Sequence, residues 1–154
     1  MSKDMLLVVL TFASSGLCWW PLLVQPNLNL PAWLPLALVA LAPCLATVLS
    51  DESWLRFMVA AYVGTFAGIF AGYFFLPSVD PIERSYSQFA IGLGTVAAMV
   101  LSSVGCSAGV ALRRVLVANE TRRRAVWLAL VGCVAFGPIA LALTPSLVAF
   151  GAAQ

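Results

Sequence analysis

Histidine does not occur in this chain, and acidic side chains are scarce, six in 154 residues. The first absence removes the commonest general base and metal ligand. Haem ligation by histidine, Ser-His and Cys-His protease sites and histidine-based zinc sites go with it. Charged residues of both signs make up only 9% of the sequence, against roughly a quarter in a soluble domain, which excludes a soluble globular fold. The formal net charge of +2 is too small to point to nucleic acid. There is no Walker motif or other nucleotide loop, and no H-E-x-x-H, so the chain is expected neither to be an energised pump by itself nor to be an enzyme, and no cofactor is expected.

What the chain does have is apolar length. Hydrophobic residues make up 62% of it, with a mean hydropathy of +1.01. At about 20 mostly apolar residues per crossing, this content supplies roughly five membrane spans and leaves only tails and short loops. Five runs can be placed, 5–24, 32–50, 57–76, 88–112 and 125–143. The expected fold is an all-α integral membrane protein, one polytopic bundle of five transmembrane helices over 1–154.

The first run competes with a secretory signal peptide. It has no A-x-A cleavage site, Ser15, Gly16 and Leu17 make a poor lipoprotein box before Cys18, and the run continues past Trp19 and Trp20 to Val24. A retained anchor is preferred. In the second run Pro31 and Pro35 suit a first helical turn, while Pro43 should kink the span. Asp51 and Glu52 face the positive end of the third helix, Glu52 is within i,i+4 reach of Arg56, and Pro77 should stop that helix. Asp80-Pro81-Ile82-Glu83 reads as a capped helix start. A fourth helix from there to Leu112 would be about 48 Å long against a hydrocarbon core of about 30 Å, so it must tilt or protrude. Pro138 should kink the fifth span and Pro145 end it.

Five spans sort the basic residues. One side receives Lys3, Arg56, Arg113, Arg114, Arg122, Arg123 and Arg124, and the other only Arg84. The positive-inside rule then puts the N-terminus in the cytoplasm and the C-terminus outside. Trp19, Trp20, Trp33, Tyr73 and Tyr86 fall near the outer interface, and Trp54 and Trp127 near the inner one, as an aromatic belt would. A bacterial cytoplasmic membrane fits these signals, and no organellar targeting segment is evident.

Asp4, Asp51, Glu52, Asp80, Glu83 and Glu120 all fall at helix ends or in loops. A carboxylate in mid-span is a functional hint by default, and its absence weighs against ion-coupled carriers and intramembrane aspartyl proteases. Asp80, Glu83 and Arg84 suggest an outer head-group site, but a solvated cap with an ordinary ion pair is the plainer reading. Cys18, Cys44, Cys106 and Cys133 lie in four different spans without metal spacing and read as small buried hydrophobes. Asn119-Glu120-Thr121 matches a glycosylation sequon but falls in the most basic loop and reads as chance.

Small residues give the strongest positive pattern. Gly64, Gly68 and Gly72 recur every fourth residue on the third span, and Gly105 and Gly109 on the fourth, with Ser102, Ser103 and Ser107 around them. Such strips let backbones approach closely where dispersion drives association. Spans three and four are therefore expected to pack tightly on each other or on partners. Thr65, Thr95, Ser102 and Ser103 are alternatively the lining of a narrow polar pathway. Arg113, Arg114, Arg122, Arg123 and Arg124 form a cytoplasmic basic segment suited to lipid phosphates or an acidic partner. The expected function is a non-catalytic accessory subunit of a larger membrane complex, or a small self-associating bundle. A small transporter or channel for a neutral or apolar solute is the alternative, and an enzyme acting on lipid head groups through Asp80, Glu83 and Arg84 a distant third.

The orientation is testable with reporters at the C-terminus. Fused alkaline phosphatase is expected to be active and fused green fluorescent protein dark; the opposite result would put the C-terminus beside the arginines and require an even number of spans.

Overall fold

The computed structural model describes residues 2–19, 33–50, 53–75, 81–117 and 119–151, with side-chain surroundings outside 72–75, 81–91, 141 and 143–151. All regular structure among these residues is helical: α1 Lys3–Leu17, α2 Trp33–Leu49, α3 Trp54–Phe75, α4 Pro81–Leu116 and α5 Glu120–Gly151. Three of the five, α3, α4 and α5, are long and apolar enough to cross a membrane. The other two have 15 and 17 residues, or about 22 and 25 Å, short of a 30 Å core. Residues 20–24 of the first expected span lie outside the described residues, as do Pro31, Asp51, Glu52, Pro77 and Asp80.

Local chemistry sets the ends. Ser2 caps α1, its hydroxyl accepting from the Met5 amide at 3.3 Å, which satisfies one of the amides a helix start leaves unpaired. Asn119 does the same for α5, accepting from the Thr121 amide at 2.9 Å. The asparagine that reads as a chance sequon is thus a helix cap. α4 begins at Pro81, as its capping pattern predicts, and its 36 residues extend about 54 Å.

α5 departs from expectation. It begins five residues earlier than the apolar run and continues through both Pro138 and Pro145 to Gly151, so Pro145 does not end it. A proline removes one backbone hydrogen bond, whereas breaking the helix leaves several groups at two new ends unpaired. α2 likewise runs through Pro43.

Consecutive helices alternate in direction. Lys3 at the start of α1 contacts Leu49 at the end of α2, and Cys18 contacts Pro35 at its beginning. Cys106 and Ser103 of α4 meet Trp54 and Met58 of α3 in reverse order. The most extensive interfaces are between next-nearest, parallel helices, α2 with α4 and α1 with α3. α2 lies at the centre, in contact with all four other helices, and residues 42–50 are buried without exception. Around it Leu7, Leu45, Leu49, Phe57, Cys106, Val126 and Leu130 form the larger core cluster. Cys18, Val39 and Ala98 form a smaller one towards the opposite end.

Glycine makes the parallel interfaces possible. A Cβ on Gly64 or Gly68 would collide with the carbonyl oxygen of Phe12 or Gly16 on α1, and one on Gly105 with that of Ala40 on α2. At Gly109 it would stand 2.5 Å from the Cys44 oxygen. The strips of α3 and α4 therefore do not face each other. This corrects the expected pairing: α3 turns its strip to α1 and α4 to α2, where other small residues, Gly16 and Ala40, complete the fit. Glycine Cα–H groups against carbonyl oxygens are also where weak Cα–H···O contacts form between helices. The surroundings of Gly72 lie outside the described residues.

Replacing Gly105 by alanine is expected to cost about 1–3 kcal/mol through overpacking against Ala40, read as a lower melting temperature in mild detergent. Gly132, which has nothing within 4 Å of a built Cβ, is the control: Gly132→Ala should be neutral or stabilising by up to about 1 kcal/mol from helix propensity. Equal effects at both sites would contradict the glycine seam.

Candidate functional site

Alternation in direction gathers one set of helix ends: the starts of α1, α3 and α5 and the finishes of α2 and α4. That end carries Lys3, Arg56, Arg113, Arg114 and, on α5, Arg122, Arg123 and Arg124. The residues that sequence reasoning assigns to one side of a membrane thus share one end of the bundle.

Part of this charge closes the fold. Lys3 Nζ donates to the Leu49 carbonyl oxygen at 2.5 Å, and Ser50 Oγ donates to Asp4 Oδ1 at 2.6 Å. A cation at the last carbonyls of a helix satisfies an acceptor that would otherwise be unpaired and opposes the negative end of the helix dipole. The beginning of α1 therefore clasps the finish of α2. Arg122 Nη1 donates to the Val115 oxygen at 3.3 Å, tying α5 back to the end of α4. Arg124 pairs with Glu120 one turn earlier at 2.8 Å, both side chains about three-quarters exposed, a pair worth well under 1 kcal/mol. Arg123 and Arg124 line a shallow basin of about 500 Å³ with Val117, Glu120 and Trp127. An anionic phosphate fits such a basin, with the indole at the apolar boundary.

The interior is chemically quiet. Thr11, Ser14, Thr47, Thr95 and Ser102 each donate to a carbonyl oxygen three or four residues back on their own helix, at 2.7–3.1 Å. Other hydroxyls reach across helices: Thr65 Oγ1 donates to the Ser15 oxygen of α1 at 3.4 Å, and Ser103 Oγ contacts Met58 Sδ of α3 at 3.1 Å. Of the four expected to line a polar path, Thr65 thus turns to α1, Thr95 and Ser102 bond within α4, and Ser103 donates to the Met99 oxygen of α4 at 2.8 Å while also lying against Met58 of α3. Sequence reasoning passed over a different grouping, Thr11, Ser14 and Ser15, fully buried on one face of α1 beside Thr65. Their 3–4 residue spacing is the signal that could have found them. Ser15 Oγ and Trp19 Nε1 are buried without a hydrogen-bond partner.

The cysteines pair off in space. Cys133 of α5 neighbours Cys18, and Cys44 of α2 neighbours Cys106 of α4, whose thiol also contacts the Thr47 hydroxyl. All four are free and buried. Among the described residues no three His, Cys, Asp or Glu side chains come together.

Motif reading also passes over one hydrolase-type string: Gly105-Cys106-Ser107-Ala108-Gly109 spells G-x-S-x-G. A nucleophile elbow requires a strained turn between strand and helix and a histidine base. Here the string lies within α4, Ser107 Oγ donates to the Ser103 oxygen at 2.9 Å, and both glycines are occupied in packing against α2. The side-chain surroundings of Glu83 and Arg84, and all of Asp80, lie outside the described residues.

The chain matches no known protein family, no curated protein and no solved structure.

Two hydroxyls on the α1–α3 interface separate paired from unpaired groups. Thr65→Val removes a cross-helix hydrogen bond and should cost about 0.6 kcal/mol. Ser15→Ala removes a buried hydroxyl without a partner and should leave the melting temperature unchanged or higher; a fall as large as that of Thr65→Val would mean that Ser15 is bonded.

Proposed function

We propose that this chain is a non-catalytic polytopic membrane protein, an accessory subunit of a larger membrane complex or a small self-associating bundle. In this reading it crosses the membrane five times, with its N-terminus and the basic end of the bundle in the cytoplasm and its C-terminus outside. A bacterial cytoplasmic membrane is the proposed home.

The observation that carries the reading is the interior: among the described residues it holds no buried carboxylate or cation, and most of its hydroxyls donate to carbonyls of their own helices. Such a core supports packing and offers nothing with which to bind or convert a charged substrate. The same bonding favours a packed bundle over conduction of a neutral solute, since a permeation path needs hydroxyls turned towards a shared lumen. The partner surfaces proposed are the exposed arginines Arg114, Arg122, Arg123 and Arg124, with Arg113 beside them, and the outer faces of α4 and α5. These two helices both pack on α2 but scarcely on each other, and they present Val96, Val104, Leu128 and Ile139 outward.

Affinity purification in a mild detergent followed by native mass spectrometry tests the proposal. A stoichiometric partner or a defined oligomer is the expected outcome. A lone monomer that also supports solute flux in liposomes, above empty vesicles, would replace it with the transporter reading.

A further inference from the structure

The interface between α1 and α3 is closed by glycine along its depth but open along its outer edge. Near the basic end it widens into a groove of about 560 Å³, walled by Val9 and Phe12 of α1 and by Leu55, Val59 and Val63 of α3. This is within the volume range of small-molecule sites. The wall contains one polar side chain, Arg56, in the first turn of α3. A narrower groove of about 270 Å³ continues the same seam along Gly16, Gly64 and Gly68 to Ala71. From Leu55 to Ala71 the groove follows α3 for about 24 Å, longer than the roughly 15 Å of one leaflet, half of the hydrocarbon core.

This combination is selective. An apolar trough with one fixed cation at its mouth is complementary to a molecule with one anionic group on a long hydrocarbon chain. The cation stands at the end of the bundle where Lys3, Arg113 and Arg114 also lie, the level of the lipid phosphates in the proposed orientation. Lys3 is committed to the Leu49 carbonyl and Arg124 to Glu120. A guanidinium carries five donors in a planar fork, so Arg56 can serve a phosphate oxygen pair alongside another partner. We infer that the α1–α3 groove is a binding site for a single anionic phospholipid of the inner leaflet, its phosphate held by Arg56 and one acyl chain laid between Val9 and Phe12 on one side and Val59 and Val63 on the other. The site rests on the membrane reading above and adds a defined lipid to it.

The test uses the full chain purified in mild detergent, with phosphatidylglycerol or phosphatidylcholine of identical acyl chains added before native mass spectrometry. One phosphatidylglycerol should be retained at least threefold better than phosphatidylcholine. Arg56→Gln should abolish that preference, and Val59→Trp, which fills the groove, should remove the retained lipid; thermal unfolding of each variant establishes that it is folded. Retention unaffected by both folded variants but lost in Arg122→Gln/Arg123→Gln/Arg124→Gln would overturn the proposal by moving the lipid to the basin on α5. Equal competition by soluble glycerol phosphate would overturn it by making the site a phosphate site without an acyl groove. Loss of a dimer rather than of a lipid in Val59→Trp would give the groove to a second copy of the chain. Release of the chain from membranes by alkaline carbonate would fail the membrane reading, whereas an embedded chain retaining no lipid fails only this inference.

Discussion

Where the surroundings are as apolar as the helices themselves, burying a leucine gains little, and helices associate through close packing of backbones and the few polar contacts they can share. In the membrane setting proposed for this chain, that constraint explains the two largest interfaces. Both are built where Gly64 and Gly68, or Gly105 and Gly109, bring one backbone onto the carbonyls of another. The helices joined this way run parallel, so their dipoles lie side by side in the same sense, a small electrostatic cost that close contact must offset. The antiparallel contacts between sequence neighbours, α1 with α2 and α3 with α4, supply the opposite arrangement. The bundle thus combines parallel seams that are tight with antiparallel ones that are electrostatically favourable.

The centre of the arrangement is α2, a helix of 17 residues without a charged side chain. α2 is apolar on every side, and a helix of that kind belongs inside. Its enclosure leaves its last carbonyls without water as a partner, a position that must be satisfied internally. Lys3 does this for Leu49 from the first turn of α1, and beside it Asp4 accepts from the Ser50 hydroxyl. The scarcity of charge in the sequence is therefore informative twice over: most basic residues lie at one end of the bundle, and one of them, Lys3, is committed to a helix terminus.

The general class of the fold was legible in the sequence because long apolar runs and prolines at their borders are local signals. The start of α4 at Pro81 was readable for the same reason, with proline and its neighbours defining the first turn. The extension of α5 through Pro145 was not, because a proline signals what the isolated chain prefers, and here the cost of exposing backbone decides. Which strip meets which was equally hidden. The spacing of Gly64 and Gly68 announces a close approach, yet the partner depends on Gly16, a single glycine on α1 without a repeat to draw attention to it. The buried hydroxyls of α1 were overlooked because Thr11, Ser14 and Ser15 are ordinary in any helix until three dimensions place them beside Thr65. Asn119 shows the opposite failure, a pattern with a familiar name whose structural role is a cap.

The clasp between Lys3 and Leu49 also bears on biogenesis. The third residue of the chain acquires its partner only after the forty-ninth has been made and has come back to the same end of the bundle. The two helices between them form a hairpin tied at both ends, by Lys3 to Leu49 and by Cys18 to Pro35. In the membrane setting proposed, α1 and α2 can enter as a first pair onto which α3 and α4 are laid, each against the helix two places before it. An arrangement that joins every helix to an earlier one asks nothing of segments not yet synthesised.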